Sequence, residues 1–228
     1  MKQFCCCAFV VLLALSCKQL PQPAKNKYFE GFVEMNITVS SADSAVRKKA
    51  LSFYGSRVTA YLKNNFYTRV YSDSQQIILN RELFNPDSLK QYSYNGNADT
   101  VFYTDLTIGS YFKTVGLKEI APRNILNKNC KGILLTEELY MLGNDSPFIF
   151  KQAYYFDTTY HLPGDIYKNV KYGSYDEVFG KYPYVAMGIV TYGPFNTKIE
   201  MIATRIIQTK MDDTHFMIPN NKVFVRKT

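Results

Sequence analysis

In Val33-Glu34-Met35-Asn36-Ile37-Thr38-Val39-Ser40 every odd position is apolar and every even position polar. A period of two is that of an extended strand, whose successive side chains point to opposite faces. This segment thus has one buried and one wet face, as in an antiparallel strand running between a sheet edge and its core. From Tyr28 onward the same alternation recurs, and Tyr, Phe, Val, Ile and Thr are abundant. Such residues favour pleated, half-buried surfaces. The expectation is a mainly β single domain over residues 28–228.

One helix interrupts the strands. Ser41-Ala42-Asp43-Ser44 offers N-cap oxygens, Val46, Ala50, Phe53 and Tyr54 fall at helical spacing opposite Arg47, Lys48 and Lys49, and Gly55 supplies a stop. Short strands are expected next at Arg57–Leu62, Phe66–Tyr71, Gln76–Asn80, Lys90–Tyr94 and Thr100–Leu106, with Asn95-Gly96-Asn97-Ala98 as a hairpin turn. Between Thr107 and Asn129 the alternation lapses, and a short helix is expected around Arg123–Asn127. Lys131–Glu138 is read as a strand ending in the loop Gly143-Asn144-Asp145. Phe148, Phe150, Gln152, Tyr154 and Phe156 share one face of a long strand. His161–Asp165 breaks the chain, and Val170–Gly180 reads as a polar linker. Tyr182–Tyr192 and Asn196–Lys210 form a hairpin around Gly193-Pro194-Phe195, and Lys222–Lys227 closes the domain. The pattern suits a sandwich or a strongly curved sheet, not alternating βα units.

The N-terminus carries a different signal. Lys2 precedes an apolar run from Phe4 to Leu15, too short for the ~20 residues of a membrane-spanning helix but suited to an export signal. Ala14-Leu15-Ser16-Cys17 resembles the bacterial lipoprotein box, which implies cleavage of residues 1–16 and acylation of Cys17. Acyl chains contribute roughly 0.8 kcal/mol per buried CH₂, so two or more would anchor the protein to a leaflet. Residues 17–27, with two prolines and no apolar periodicity, then form a tether. Cys5, Cys6 and Cys7 leave with the signal, Cys130 has no thiol partner, and no disulfide framework is expected. An acidic run after Cys17 is absent, which favours the periplasmic face of the outer membrane.

Chemistry is sparse. His161 and His215 lack a second His or Cys at metal-binding spacing, so neither metal nor cofactor is expected. Asp212-Asp213 and Glu137-Glu138 are adjacent pairs whose side chains would diverge on a strand, and Asp212-Asp213 is read as a turn before Phe216. No nucleophile elbow, phosphate loop or dinucleotide fingerprint occurs, and the chain is expected not to be an enzyme. The net charge of +8 is scattered, with local clusters only at Arg47-Lys48-Lys49 and Arg226-Lys227, so nucleic acid is not an expected partner.

Tyr and Phe are the compositional excess, 19 and 16 residues with no Trp. They fill a β core, or they line the hollow of a curved sheet that one helix cannot fill. Alternation supplies the same residues for either role: Val33, Met35 and Ile37; Phe148, Phe150 and Tyr154; Val185, Met187 and Ile189.

The order of Cys17, the strand Phe32–Ser40, a capping helix, a meander, Asn129-Cys130-Lys131, the stretch Tyr172–Val178 and the ending Asp212–Pro219 resembles envelope lipoproteins with a LolA-like fold. That resemblance implies an open, strongly curved antiparallel half-barrel of about eleven strands with one or two helices over its concave face. It also implies handling of lipid or another hydrophobic ligand without covalent chemistry. The competing expectation is a solid-cored interaction lipoprotein that binds another envelope protein or a glycan.

Overall fold

The computed structural model describes residues 27–95, 97–108, 112–139 and 146–227. The signal peptide, Cys17, nearly all of the tether, Gly96 and the loop at 143–145 lie outside the described residues.

The chain forms one twelve-stranded sheet that is not closed into a barrel. Its strands are β1 (Gly31–Ser40), β2 (Arg57–Lys63), β3 (Phe66–Ser72), β4 (Ile78–Asn85), β5 (Lys90–Tyr94), β6 (Thr100–Asp105), β7 (Phe112–Ile125), β8 (Lys128–Leu139), β9 (Phe148–His161), β10 (Tyr184–Tyr192), β11 (Lys198–Gln208) and β12 (Val223–Arg226). The spatial order is β12-β6-β5-β4-β3-β2-β1-β11-β10-β9-β8-β7. Ten neighbouring pairs are antiparallel, nine of them between consecutive strands as in a meander and the tenth joining β1 to β11, but β12 lies parallel to β6, so the sheet is mixed. β1 is not near an edge: it sits between β2 and β11, where its odd residues Val33, Met35, Ile37 and Val39 are all buried.

Helix α1 (Ser44–Tyr54) is held by its ends. Asp43 Oδ1 accepts from the backbone N–H of Ala45 at 2.8 Å and of Val46 at 3.2 Å. Gly55 terminates it at φ 64°, where an added Cβ would lie 2.2 Å from the Ser72 carbonyl oxygen, so only glycine fits. No residue of α1 is fully buried; Tyr54 meets Tyr71 edge-to-face at 5.5 Å and fastens the helix over the sheet's inner face. Among the described residues, no helix is long and apolar enough to cross a membrane.

Three segments depart from the sequence expectation. The helix expected around Arg123–Asn127 is instead the end of β7 and a two-residue turn: Leu126 and Asn127 take φ of 52° and 60°, and Ile125 pairs with Lys128. Two positive φ values are what a tight hairpin requires, and the register shifts of β7 between Thr114/Gly116 and Ile120/Arg123 erase its alternation. The strand expected at Gln76–Asn80 is β4, which runs on to Asn85.

The third departure matters most. Residues 170–180, expected as a polar linker, belong to a folded cross-piece made of two 3₁₀ turns (Gly164–Asn169 and Tyr172–Ser174) and α2 (Tyr175–Val178). Val170, Val178 and Phe179 are buried, as is Ser174 between them, while Lys171 pairs with Asp176 within the cross-piece. The backbone N–H groups of Lys171 and Tyr172 donate to the Leu106 carbonyl beyond β6, at 2.8 and 3.3 Å. On the opposite flank Ser174 Oγ donates to Glu137 of β8. The cross-piece therefore spans from one flank of the sheet to the other.

Candidate ligand-binding cleft

Cross-strand register identifies the inner face. Met35 pairs with Val58, Val58 with Tyr71, Ala60 with Arg69, Arg69 with Glu82 and Glu82 with Ser93. On the other flank Glu137 pairs with Phe150, Gln152 with Thr191, Tyr154 with Ile189 and Ile189 with Met201. These paired residues stand on one side of the sheet, which divides into two unequal hollows beneath the cross-piece.

The first is apolar and small, about 60 Å³, walled by Val33 and Met35, by Val58 and Leu62, by Val185 and Ile189, and by Tyr167 and Phe179 of the cross-piece region. A water molecule occupies about 30 Å³ of liquid and a cavity of about 150 Å³ is needed to hold benzene. This space takes no acyl chain. Rings close it: Phe84 stacks between Tyr67 at 5.2 Å and Tyr167 at 5.8 Å, and Phe179 meets both Tyr154 and Phe156 edge-on at 5.8 Å.

The second is polar and about 390 Å³, within the range of small-molecule sites. One flank contributes Arg69 and Tyr71 from β3, Glu82 from β4, Gln91 and Ser93 from β5, and Thr104 from β6; Lys227, just past β12, joins them. The other contributes Glu137 from β8, Phe150, Gln152 and Tyr154 from β9, and Ile189 and Thr191 from β10. Tyr54 of α1 and Tyr172, Gly173 and Tyr175 of the cross-piece complete the wall. Arg69, Ile189 and Met201 border both hollows. A depression of about 550 Å³ on the outer face, beside Arg57, Thr59 and Tyr61, draws on neighbouring strands only.

The polar groups in the cleft are tied into place. Tyr71 Oη donates to Glu82 Oε2 at 3.0 Å, the Arg69 guanidinium lies 3.7 Å from the same oxygen and 5.1 Å from the Tyr67 ring centre, and Tyr67 Oη donates to Tyr175 Oη at 3.3 Å. Tyr154 Oη donates to Gln152 Oε1, so the Gln152 amide oxygen is engaged by its neighbour on β9. Lys227 Nζ donates to Ser93 Oγ at 2.8 Å. Burial, with Glu82 next, holds Tyr71 well above the ordinary phenol range; burial likewise raises Tyr54, Tyr154 and Tyr172. These phenols remain neutral hydroxyls, able both to donate and to accept. Burial also raises the Glu137 carboxyl, against the opposing hydrogen bond from Ser174. For Arg69 burial disfavours the charge, but the oxygens of Tyr175, Tyr71, Tyr67 and Glu82 outweigh it and keep the cation.

The residues expected to line a hollow separate accordingly. Val33, Met35, Val185 and Ile189 line the small apolar space; Phe150, Tyr154 and again Ile189 line the polar cleft. Ile37 and Met187 are buried in the core, and Phe148 is 38% exposed near the start of β9. Glu137 and Glu138 do diverge, but Glu137 shares the cleft with Glu82, a carboxylate distant in sequence. Sequence reasoning overlooked Arg69, Glu82 and Lys227 and set Glu137 aside with Glu138, although three of the four carry a readable signal: Arg69, Glu82 and Glu137 each occupy a buried-phase position in an alternating strand, Tyr67-x-Arg69-x-Tyr71, Glu82-x-Phe84 and Ile133-x-Leu135-x-Glu137. A polar group there needs a partner or a ligand. Among the described residues no three His, Cys, Asp or Glu side chains gather as a metal site. Comparison with protein-family models and with curated proteins gives no match.

Proposed function

We propose that this chain is a lipid-anchored envelope lipoprotein, exported by residues 1–16, acylated at Cys17 and held by the tether 17–27 at the periplasmic face of the outer membrane. Its sheet would be an open half-barrel of the LolA-like kind, a reading supported by two flanks of one unclosed sheet that line a common cleft. Its activity is non-catalytic binding, and the ligand is polar. The observation that carries this is the contrast between an apolar hollow of about 60 Å³ and a polar cleft of about 390 Å³ on the same face. An acyl chain finds no room in the first, whereas the second supplies convergent donors and acceptors on rigid strands. A solid apolar interior also suits an interaction lipoprotein, but that reading does not account for the convergence of Arg69, Glu82, Glu137 and Gln152 on one cleft.

The test is mass spectrometry of small molecules released from protein purified from its own membranes, beside the cleft-filling variant Thr191→Trp. A polar compound present with the parent protein and lost from the variant is the expected result. Phospholipid retained equally by both would overturn the polar reading. Cys17→Ser should abolish signal cleavage and acylation; normal processing and sedimentation with the envelope would overturn the anchor.

A further inference from the structure

We propose that the polar cleft recognises a saccharide, a neutral unit of about two six-membered rings; this rests on the reading of that cleft as the binding site. The size follows from volume. One ring the size of benzene fits a cavity of about 150 Å³, so 390 Å³ takes roughly two.

The class follows from the kinds of group that converge. Glu82 is an acceptor, Arg69 a donor, and Gln91, Gln152 and the tyrosine hydroxyls supply both. Only a ligand dense in groups that donate and accept at once, as sugar hydroxyls do, can satisfy such a mixture from every side. A phosphate or carboxylate ligand offers acceptors alone and would meet Glu82 and Glu137. An ammonium ligand offers donors alone and would meet Arg69 and Lys227. The near balance of these opposed charges therefore selects against ions and for neutral, hydrogen-bonding rings.

Aromatic walls complete the match. A pyranose has an apolar C–H face beside its hydroxyl rim, and the cleft sets the rings of Phe150 and Tyr175 among its hydrogen-bonding groups. Because Gln152 and Tyr154 are already hydrogen-bonded to each other and held on β9, little ordering is left to occur on binding. The small apolar hollow adjoins this cleft through Ile189 and Met201 but has no room for an alkyl chain, so the sugar is bound without a tail seated there.

The experiment is isothermal titration of the full-length acylated protein, kept in a zwitterionic detergent without a sugar head, with maltose, cellobiose and N,N′-diacetylchitobiose. At least one should bind with a Kd below about 10 mM. Gln152→Ala and Thr191→Trp, each checked for native circular dichroism, should weaken it at least about tenfold, while Arg57→Ala on the outer face should not. No binding of any of the three disaccharides, or binding untouched by the cleft variants, overturns the saccharide assignment. If the cleft-filling variant still loses a co-purified polar compound, the cleft reading survives that failure; if it loses nothing, both fall. Hydrolysis of a bound disaccharide would replace binding by catalysis and overturn the non-catalytic part.

Discussion

Ser174 Oγ donates a 2.7 Å hydrogen bond to Glu137 Oε1, with both residues buried, and so ties the cross-piece to β8 at the rim of the cleft. Thr114 of β7 lies 2.6 Å from the same serine oxygen and extends the chain to the sheet edge. The wall of the cleft is thus fastened to one flank through a single ionisable side chain.

This makes stability depend on pH in a definite direction. Burial raises the folded pKa of Glu137 above its unfolded value. Its contribution is then complete below the ordinary glutamate range and is lost as pH rises through the folded value. Glu137→Gln keeps an acceptor for Ser174 and cannot ionise. Urea unfolding at pH of about 4, 6 and 8 should show the parent protein falling behind the variant as pH rises, with the two converging at the acid end. A constant difference across that range would refute the role of Glu137.

The opposite flank holds the cross-piece by packing. Phe84 is fully buried between Tyr67 and Tyr167, so truncation removes a ring on which both the sheet and the first 3₁₀ turn rest. Phe84→Ala should cost about 3–5 kcal/mol. Hydrogen exchange should also show amides of residues 164–178 losing protection by more than those of β9. Uniform loss throughout the domain would mean that the cross-piece is not separately anchored there.

The reach of the sequence follows the same division. Strict alternation made β1 legible down to its buried residues, and Asp43 and Gly55 marked both ends of α1. The β10–β11 hairpin was legible from its Gly-Pro turn, closed by the Thr197 N–H donating to the Pro194 carbonyl at 3.0 Å. β7 was not legible, because its bulges reset the period and an edge strand keeps little burial contrast. The cross-piece was hidden for another reason: its lengths of 3₁₀ turn are too short to show periodicity, and Val170, Val178 and Phe179 are spaced by the cavity they fill. The cleft itself depends on long-range register, bringing Glu82 and Glu137 to one space from strands on opposite flanks, which no local pattern records.

The apolar hollow yields a stability prediction. Ala60 lines it from β2, a strand position where a β-branched side chain is favoured. Ala60→Val inserts two methyl groups into about 60 Å³ of empty space, and at roughly 0.8 kcal/mol per buried carbon, less the cost of fitting, should raise stability by about 1 kcal/mol. Thermal unfolding reads this directly. The same variant should leave saccharide binding unchanged; a loss of binding would show that the hollow is part of the ligand site.

Thiol counting tests the processing of the N-terminus together with the core. Cys130 is fully buried, and burial, with Asp157 next, raises its thiol above the ordinary range, so the reactive thiolate is scarce and shielded in the native state. Alkylation should be slow in buffer and rapid in concentrated urea, and its rate should follow global unfolding. The number of thiols that then react reports the chain's history. The unprocessed sequence carries five cysteines. Removal of residues 1–16 takes Cys5, Cys6 and Cys7 with it, and a thioether-linked lipid masks Cys17, which leaves Cys130 alone. One reactive thiol in urea is therefore the expected count for the mature protein; two would mean cleavage without acylation, and five would mean that the signal was never cut.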